Sequence, residues 1–146
     1  MKYVSTRDAG RAYSAPETIV KGIADDGGLF VPSSFPTIDK EFLASLSEMT
    51  YPERVAKVLH LFMDEFAEKE LLSFAEKAYS RFDGDPCPVV KIEDGLYVLE
   101  LWHGPTFAFK DMALTLLPYL MVESKKKLGV DETTLVLVAT SGDTGK

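Results

Sequence analysis

Lys110 stands in the run His-Gly-Pro-Thr-Phe-Ala-Phe-Lys-Asp at 103–111, where an apolar strand-like stretch hands over to an apolar helical one. A lysine amine must be neutral before it can attack a carbonyl carbon, and apolar surroundings and the positive end of a helix both favour that form. A second run, Thr-Ser-Gly-Asp-Thr-Gly at 140–145, follows the next apolar stretch. It brings the hydroxyls of Thr140, Ser141 and Thr144, with the backbone around Gly142, to a place where an anion can be cradled. A buried amine facing an anion cradle predicts Schiff-base chemistry on an anionic substrate. Each run also has a plain structural reading. A lone lysine at a helix start usually lays its stem along the surface, and Ser, Asp and Thr are ordinary helix caps. The company of Lys110 argues the other way: Trp102, Phe107 and Phe109 surround it, no acid lies at helical spacing, and the adjacent Asp111 points elsewhere.

Other chemistries find little support. Gly145-Lys146 after an apolar stretch suggests a nucleotide-binding loop, but that motif requires glycine where this chain has Thr140. The two histidines separate in kind. His60 sits among Leu59, Leu61 and Phe62 and reads as structural, whereas His103 either contacts a ligand or holds the turn at Gly104 and Pro105. No nucleophilic triad or metal cluster can be assembled, and the single cysteine, Cys87 between two prolines, reads as a small loop residue. A net charge of −7 disfavours nucleic acid as a partner, because no basic face is available to neutralise phosphates. The run 125–127 of lysines reads as the cationic end of a helix. Neither a signal peptide nor a membrane-spanning run is present, so the expected location is the cytoplasm.

The elements that must position Lys110 follow from pattern. The 146 residues, 46% hydrophobic and 27% charged, suffice for one core of ordinary size. The first residues, Tyr-Val-Ser-Thr-Arg-Asp-Ala-Gly at 3–10, contain a short strand. Ser14 and Glu17 have capping-box spacing with Pro16 in the first turn, which predicts a helix through Ile23 that stops at the turn 25–28. Residues 29–31 form a short apolar strand, and 37–49 a modest helix. Thr50 and Glu53 repeat the capping box ahead of Val55, Val58, Leu59, Phe62 and Phe66, an amphipathic face; Leu71, Phe74, Ala75, Ala78 and Phe82 make another. The run of turn formers at 83–88 marks a domain boundary. Strands at 89–92 and 96–101 flank a turn at Gly95, a helix of 109–128 is kinked at Pro118, and 135–139 is a buried strand. The expected class is therefore α/β: a mostly helical domain at 1–85, then the start of a parallel-sheet domain at 86–146 built on one βαβ unit. Because the last residues fall where a loop would hand over to a helix, the chain reads as the N-terminal piece of a longer protein.

Four segments, 3–10, 23–32, 103–113 and 139–145, in this order resemble the N-terminal part of the threonine synthase family, pyridoxal-phosphate enzymes of fold type II. The resemblance covers nearly the whole chain. It implies a lyase of threonine biosynthesis that converts O-phospho-L-homoserine and water into L-threonine and phosphate, with Lys110 forming the aldimine with pyridoxal phosphate and moving protons. It also implies that Thr140, Ser141, Gly142, Asp143 and Thr144 hold the substrate carboxylate, with Asp143 near the cofactor's 3-hydroxyl group. The parts expected to hold the cofactor phosphate and pyridine nitrogen would lie downstream of Lys146, so the isolated piece is expected to be inactive. Two alternatives stand beside this reading: a phosphohomoserine lyase releasing 2-oxobutyrate, and a non-catalytic packing module.

Overall fold

A computed structural model describes residues 1–142, 144 and 145. Strand β1 (Tyr3–Ser5) pairs antiparallel with β2 (Phe30–Pro32), placing Tyr3 opposite Pro32 and Ser5 opposite Phe30. Between them lies α1 (Ala15–Lys21), opened by the expected capping box: Glu17 Oε2 accepts from Ser14 N at 2.6 Å, and Glu17 N donates to Ser14 Oγ at 3.4 Å. It stops two residues short of Ile23, because Gly22 takes φ 74° and caps the carboxyl end. Helix α2 (Lys40–Ser47) begins at Asp39, whose carboxylate accepts from Phe42 N at 2.7 Å.

The centre is the pair α3 (Tyr51–Phe62) and α4 (Glu68–Tyr79). Glu53 accepts from both the amide and the hydroxyl of Thr50 at 2.7 Å, as the sequence spacing requires. Phe66, in the connection, and Leu71 are completely buried, with Ala56, Ala75 and Ala78 letting the helices approach closely. His60 Nδ1 lies 3.0 Å from the Phe66 carbonyl oxygen and pins that connection, the structural role expected of it.

After α4 the chain forms the hairpin β3 (Val89–Glu93) and β4 (Leu96–Leu99), antiparallel, with Gly95 at φ 82° in its turn. The continuous helix expected over 109–128 is two helices, α5 (Asp111–Leu114) and α6 (Leu117–Leu128). Pro118 explains the break. It cannot donate to the carbonyl four residues back, so it falls in the first turn of a new helix, where no donor is needed. Helix α6 packs against α1, and Leu116 and Leu120 enter the same core as Phe66 and Leu71. Lys127 adds an ion pair with Glu70 on α4 at 3.2 Å.

Both sheets among the described residues are two-stranded and antiparallel. Residues 130–140, expected to hold a buried strand, take neither helix nor strand, with Leu135 85% and Leu137 90% exposed. A strand exists only through its pairing, and no described strand lies alongside this segment. The mixed α/β character is therefore present, while the parallel βαβ unit is not formed among the described residues. No described helix is long and apolar enough to cross a membrane.

Candidate active site

The segment 103–111 is a built loop rather than a loose connection. Asp111, 4% exposed, turns its carboxylate back on the loop and accepts from Thr106 N at 2.8 Å and from Thr106 Oγ1 at 2.6 Å. Gly104 passes so close that a β-carbon on it would lie 2.4 Å from an Asp111 oxygen, which leaves room for glycine alone. Phe107 has φ 56°, a left-handed conformation that is uncommon for a residue with a side chain and is tolerated where the surroundings over-determine it. The His103 carbonyl accepts from Asp83 N at 3.0 Å. Its ring Nε2 lies 2.7 Å from Glu100 Oε2, so of the two roles open to His103 the structure shows the one that braces the loop.

Lys110 emerges from this loop immediately before α5. It is half-buried, a more open position than its apolar neighbours suggest, because Phe107 and Phe109 turn outward. Four residues of α5 also supply only a small part of the field expected from a full helix. Lys110 Nζ donates to Thr144 Oγ1 at 2.5 Å. The run at 140–145 is in turn organised by Thr140, whose Oγ1 accepts from Gly142 N at 3.4 Å and Thr144 N at 3.3 Å. The lysine and the small-hydroxyl loop thus meet across 34 residues of sequence, as expected. Ser141 and Gly142 are exposed on the same turn, and Asp143 lies outside the described residues.

Two cavities meet at the Lys110–Thr144 contact. One, of about 600 Å³, is walled by Tyr51, Cys87, Leu101, Phe109, Met112 and Ala113. Burial pushes the Tyr51 phenol up, with neighbouring Tyr79 adding to it, and burial likewise pushes up the Cys87 thiol; both walls stay neutral at ordinary pH. The other, of about 550 Å³, has Arg81, Thr106, Asp111, Thr115 and Tyr119 in its lining. Volumes of this size suit small organic ligands. Behind the site, Tyr79 Oη donates to the Met112 carbonyl at 2.8 Å, tying α4 to the helix that follows Lys110.

Sequence reasoning found Lys110 and the 140–145 loop but missed Asp111, Arg81, Tyr51 and Tyr79 in these roles. For Asp111 a signal existed in the short Thr106-to-Asp111 spacing. The other three reach the site only through the packing of α3 and α4.

The profile of a family described as Threonine synthase N terminus matches residues 2–79, more than half of the chain. The chain belongs to the threonine synthase family. Over 99% of its length it is 36% identical to threonine synthase of Schizosaccharomyces pombe and 36% identical to threonine synthase-like 2 of Xenopus laevis, covering 30% and 31% of those proteins. The structure of pyridoxal-phosphate-bound threonine synthase from Brucella melitensis superposes with a TM-score of 0.82 at 36% identity, over 88% of this chain and 28% of that one. Threonine synthase from Escherichia coli gives a TM-score of 0.83 at 30% identity, over 99% of this chain and 32% of that one. This family member therefore spans about 30% of the length of the relatives it matches.

Proposed function

We propose that the chain is the N-terminal part of a cytoplasmic threonine synthase that uses pyridoxal phosphate and converts O-phospho-L-homoserine and water into L-threonine and phosphate. Residues 1–85 would be its helical domain and 86–146 the start of its fold type II cofactor domain. The observation that carries this reading is the Lys110 Nζ to Thr144 Oγ1 contact of 2.5 Å at the meeting of two cavities. The apolar cavity, with Lys110 among its lining residues, would suit a small aromatic cofactor ring. When bound, the cofactor supplies an electron sink for charge developing on the substrate carbons.

The chain's own groups then have distinct tasks. The Lys110 amine would hold the cofactor through its aldehyde carbon. When free, its Nζ would take a proton from Cα and then from Cβ, and return protons to Cγ and Cα. The Cγ–O bond would break as phosphate leaves, a water oxygen would join Cβ, and the proton that water gives up would leave with the phosphate. The hydroxyls and N–H groups of Thr140, Ser141, Gly142 and Thr144 suit the substrate carboxylate. Asp143 is assigned to the cofactor's 3-hydroxyl by resemblance alone.

The test is the full-length protein with pyridoxal phosphate and O-phospho-L-homoserine, its carbon product identified by NMR. Threonine is expected, and Lys110→Ala should remove both turnover and the visible absorbance of bound cofactor. Release of 2-oxobutyrate would move the protein to the lyase alternative. Untouched substrate together with cofactor absorbance that survives Lys110→Ala would overturn the reading. The 146-residue chain alone is expected to give no turnover.

A further inference from the structure

The chain has four arginines, and the fold occupies three of them. Arg7 donates to the Asp26 carbonyl at 3.0 Å, Arg11 lies 3.7 Å from Asp25 and over the Tyr13 ring, and Arg54 donates to the Leu46 carbonyl at 2.8 Å. Arg81, just past the end of α4, has no hydrogen bond or ion pair among the described residues, although Asp83 and Asp85 lie within four positions of it. It is exposed, and it lines the polar cavity of about 550 Å³ next to Lys110. Tyr119 of α6 lines the same cavity; its ring stacks on Phe74 at 6.1 Å, and its hydroxyl likewise has no partner among the described residues.

The remaining polarity of this cavity is already committed. Asp111, the one carboxylate in its lining among the described residues, holds the amide and hydroxyl of Thr106, and the Thr115 hydroxyl donates to the Asp111 carbonyl at 2.6 Å. Among the described residues, a guanidinium and a phenol thus face a space whose one carboxylate is internally occupied. That arrangement suits an anion, and a guanidinium fork matches the oxygens of a phosphate as it does those of a carboxylate.

We propose that Arg81, with the Tyr119 hydroxyl, binds the phosphate of a phosphomonoester substrate in the polar cavity beside Lys110. The proposal rests on the functional reading above and adds to it the groups that select a phosphorylated substrate. Phosphate would then depart into this polar cavity.

The experiment uses the full-length holoenzyme and three readouts: KM for O-phospho-L-homoserine, the inhibition constant of inorganic phosphate, and cofactor absorbance. Arg81→Ala should raise the first two by roughly 10- to 100-fold, the loss expected for charge-assisted hydrogen bonds, and leave the absorbance unchanged. Arg81→Lys should recover part of the loss, and Tyr119→Phe should show a smaller one. Lys69→Ala, which removes an exposed cation of α4 outside the cavity, should change nothing. Unchanged KM and inhibition in Arg81→Ala, or an equal effect from Lys69→Ala, would overturn the proposal while leaving the functional reading intact. If the wild type does not turn over phosphohomoserine, titration with inorganic phosphate followed by phosphorus NMR still decides: binding lost in Arg81→Ala supports the phosphate site without that reaction, and equal binding overturns the site.

Discussion

Leu71 lies in an amphipathic stretch and Leu137 in a continuously apolar one, yet Leu71 is completely buried and Leu137 is 90% exposed. The helical region around Leu71 finds its partners within the chain: α3 lies on α4, α1 on α6, and Leu116 and Leu120 complete the core from the far end of the sequence. The region around Leu137 finds no strand partner among the described residues, and the β3–β4 hairpin, paired only with itself, leaves Val89, Ile92, Leu96 and Leu99 exposed. A helix satisfies its backbone internally and needs only a neighbour for one face. A strand needs a neighbour for its backbone as well. The site sits on the seam between these regions, with Lys110 beside the open one and Tyr51, Arg81 and Tyr79 reaching it from the closed one.

Substitutions can break this contrast in graded fashion. The largest effect is expected at its closed end: Leu71→Ala should cost about 3–4 kcal/mol through lost burial and the cavity left behind, whereas Leu137→Ser should change chain stability by under ~0.5 kcal/mol, both read by chemical denaturation. Equal losses would abolish the distinction. On the seam, Gly104→Ala would force its new methyl onto Asp111, 2.4 Å away, and should cost about 2 kcal/mol; in the full-length protein it should also displace Lys110 and lower turnover.

The smallest effect lies at the helix starts. Ser14→Ala should cost about 1 kcal/mol. Backbone N–H bonds from Ser14 and Ala67 hold the Glu17 and Glu70 carboxyls below their ordinary value of 4.5. A carboxyl whose folded value is depressed contributes stability that is full above its unfolded value and lost as pH falls through the folded one. Melting temperature should therefore drop on acidification below about pH 4.5, and less steeply in Glu17→Gln, which keeps an acceptor for the cap but does not titrate.

Local chemistry made much of this readable in advance. The capping boxes at Ser14 and Thr50, the apolar faces of α3 and α4, and the Gly95 turn depend on residues a few positions apart, and all appear where the pattern puts them. Lys110 and Thr144 were brought together by a different rule, that loops following strands share one edge. They do meet, although the strand at 135–139 is not formed among the described residues. What pattern did not supply depends on distant packing. The pairing of β1 with β2 spans the whole of α1, and the seating of α6 on α1 joins opposite ends of the chain. Asp111 turns to Thr106 rather than to Lys110, and its grip on Thr106 is not legible in the sequence, since an acid beside a lysine has no preferred direction there.

The Tyr79 hydroxyl bond to the Met112 carbonyl gives the reactive loop a clock. Met112 lies two residues beyond Lys110, so this bond ties the start of α5 to the last turn of α4. Backbone amides of α5 should accordingly exchange their hydrogens with solvent at a rate set by opening of the helical core. The exposed hairpin, which has no such tether among the described residues, should exchange on its own, faster schedule.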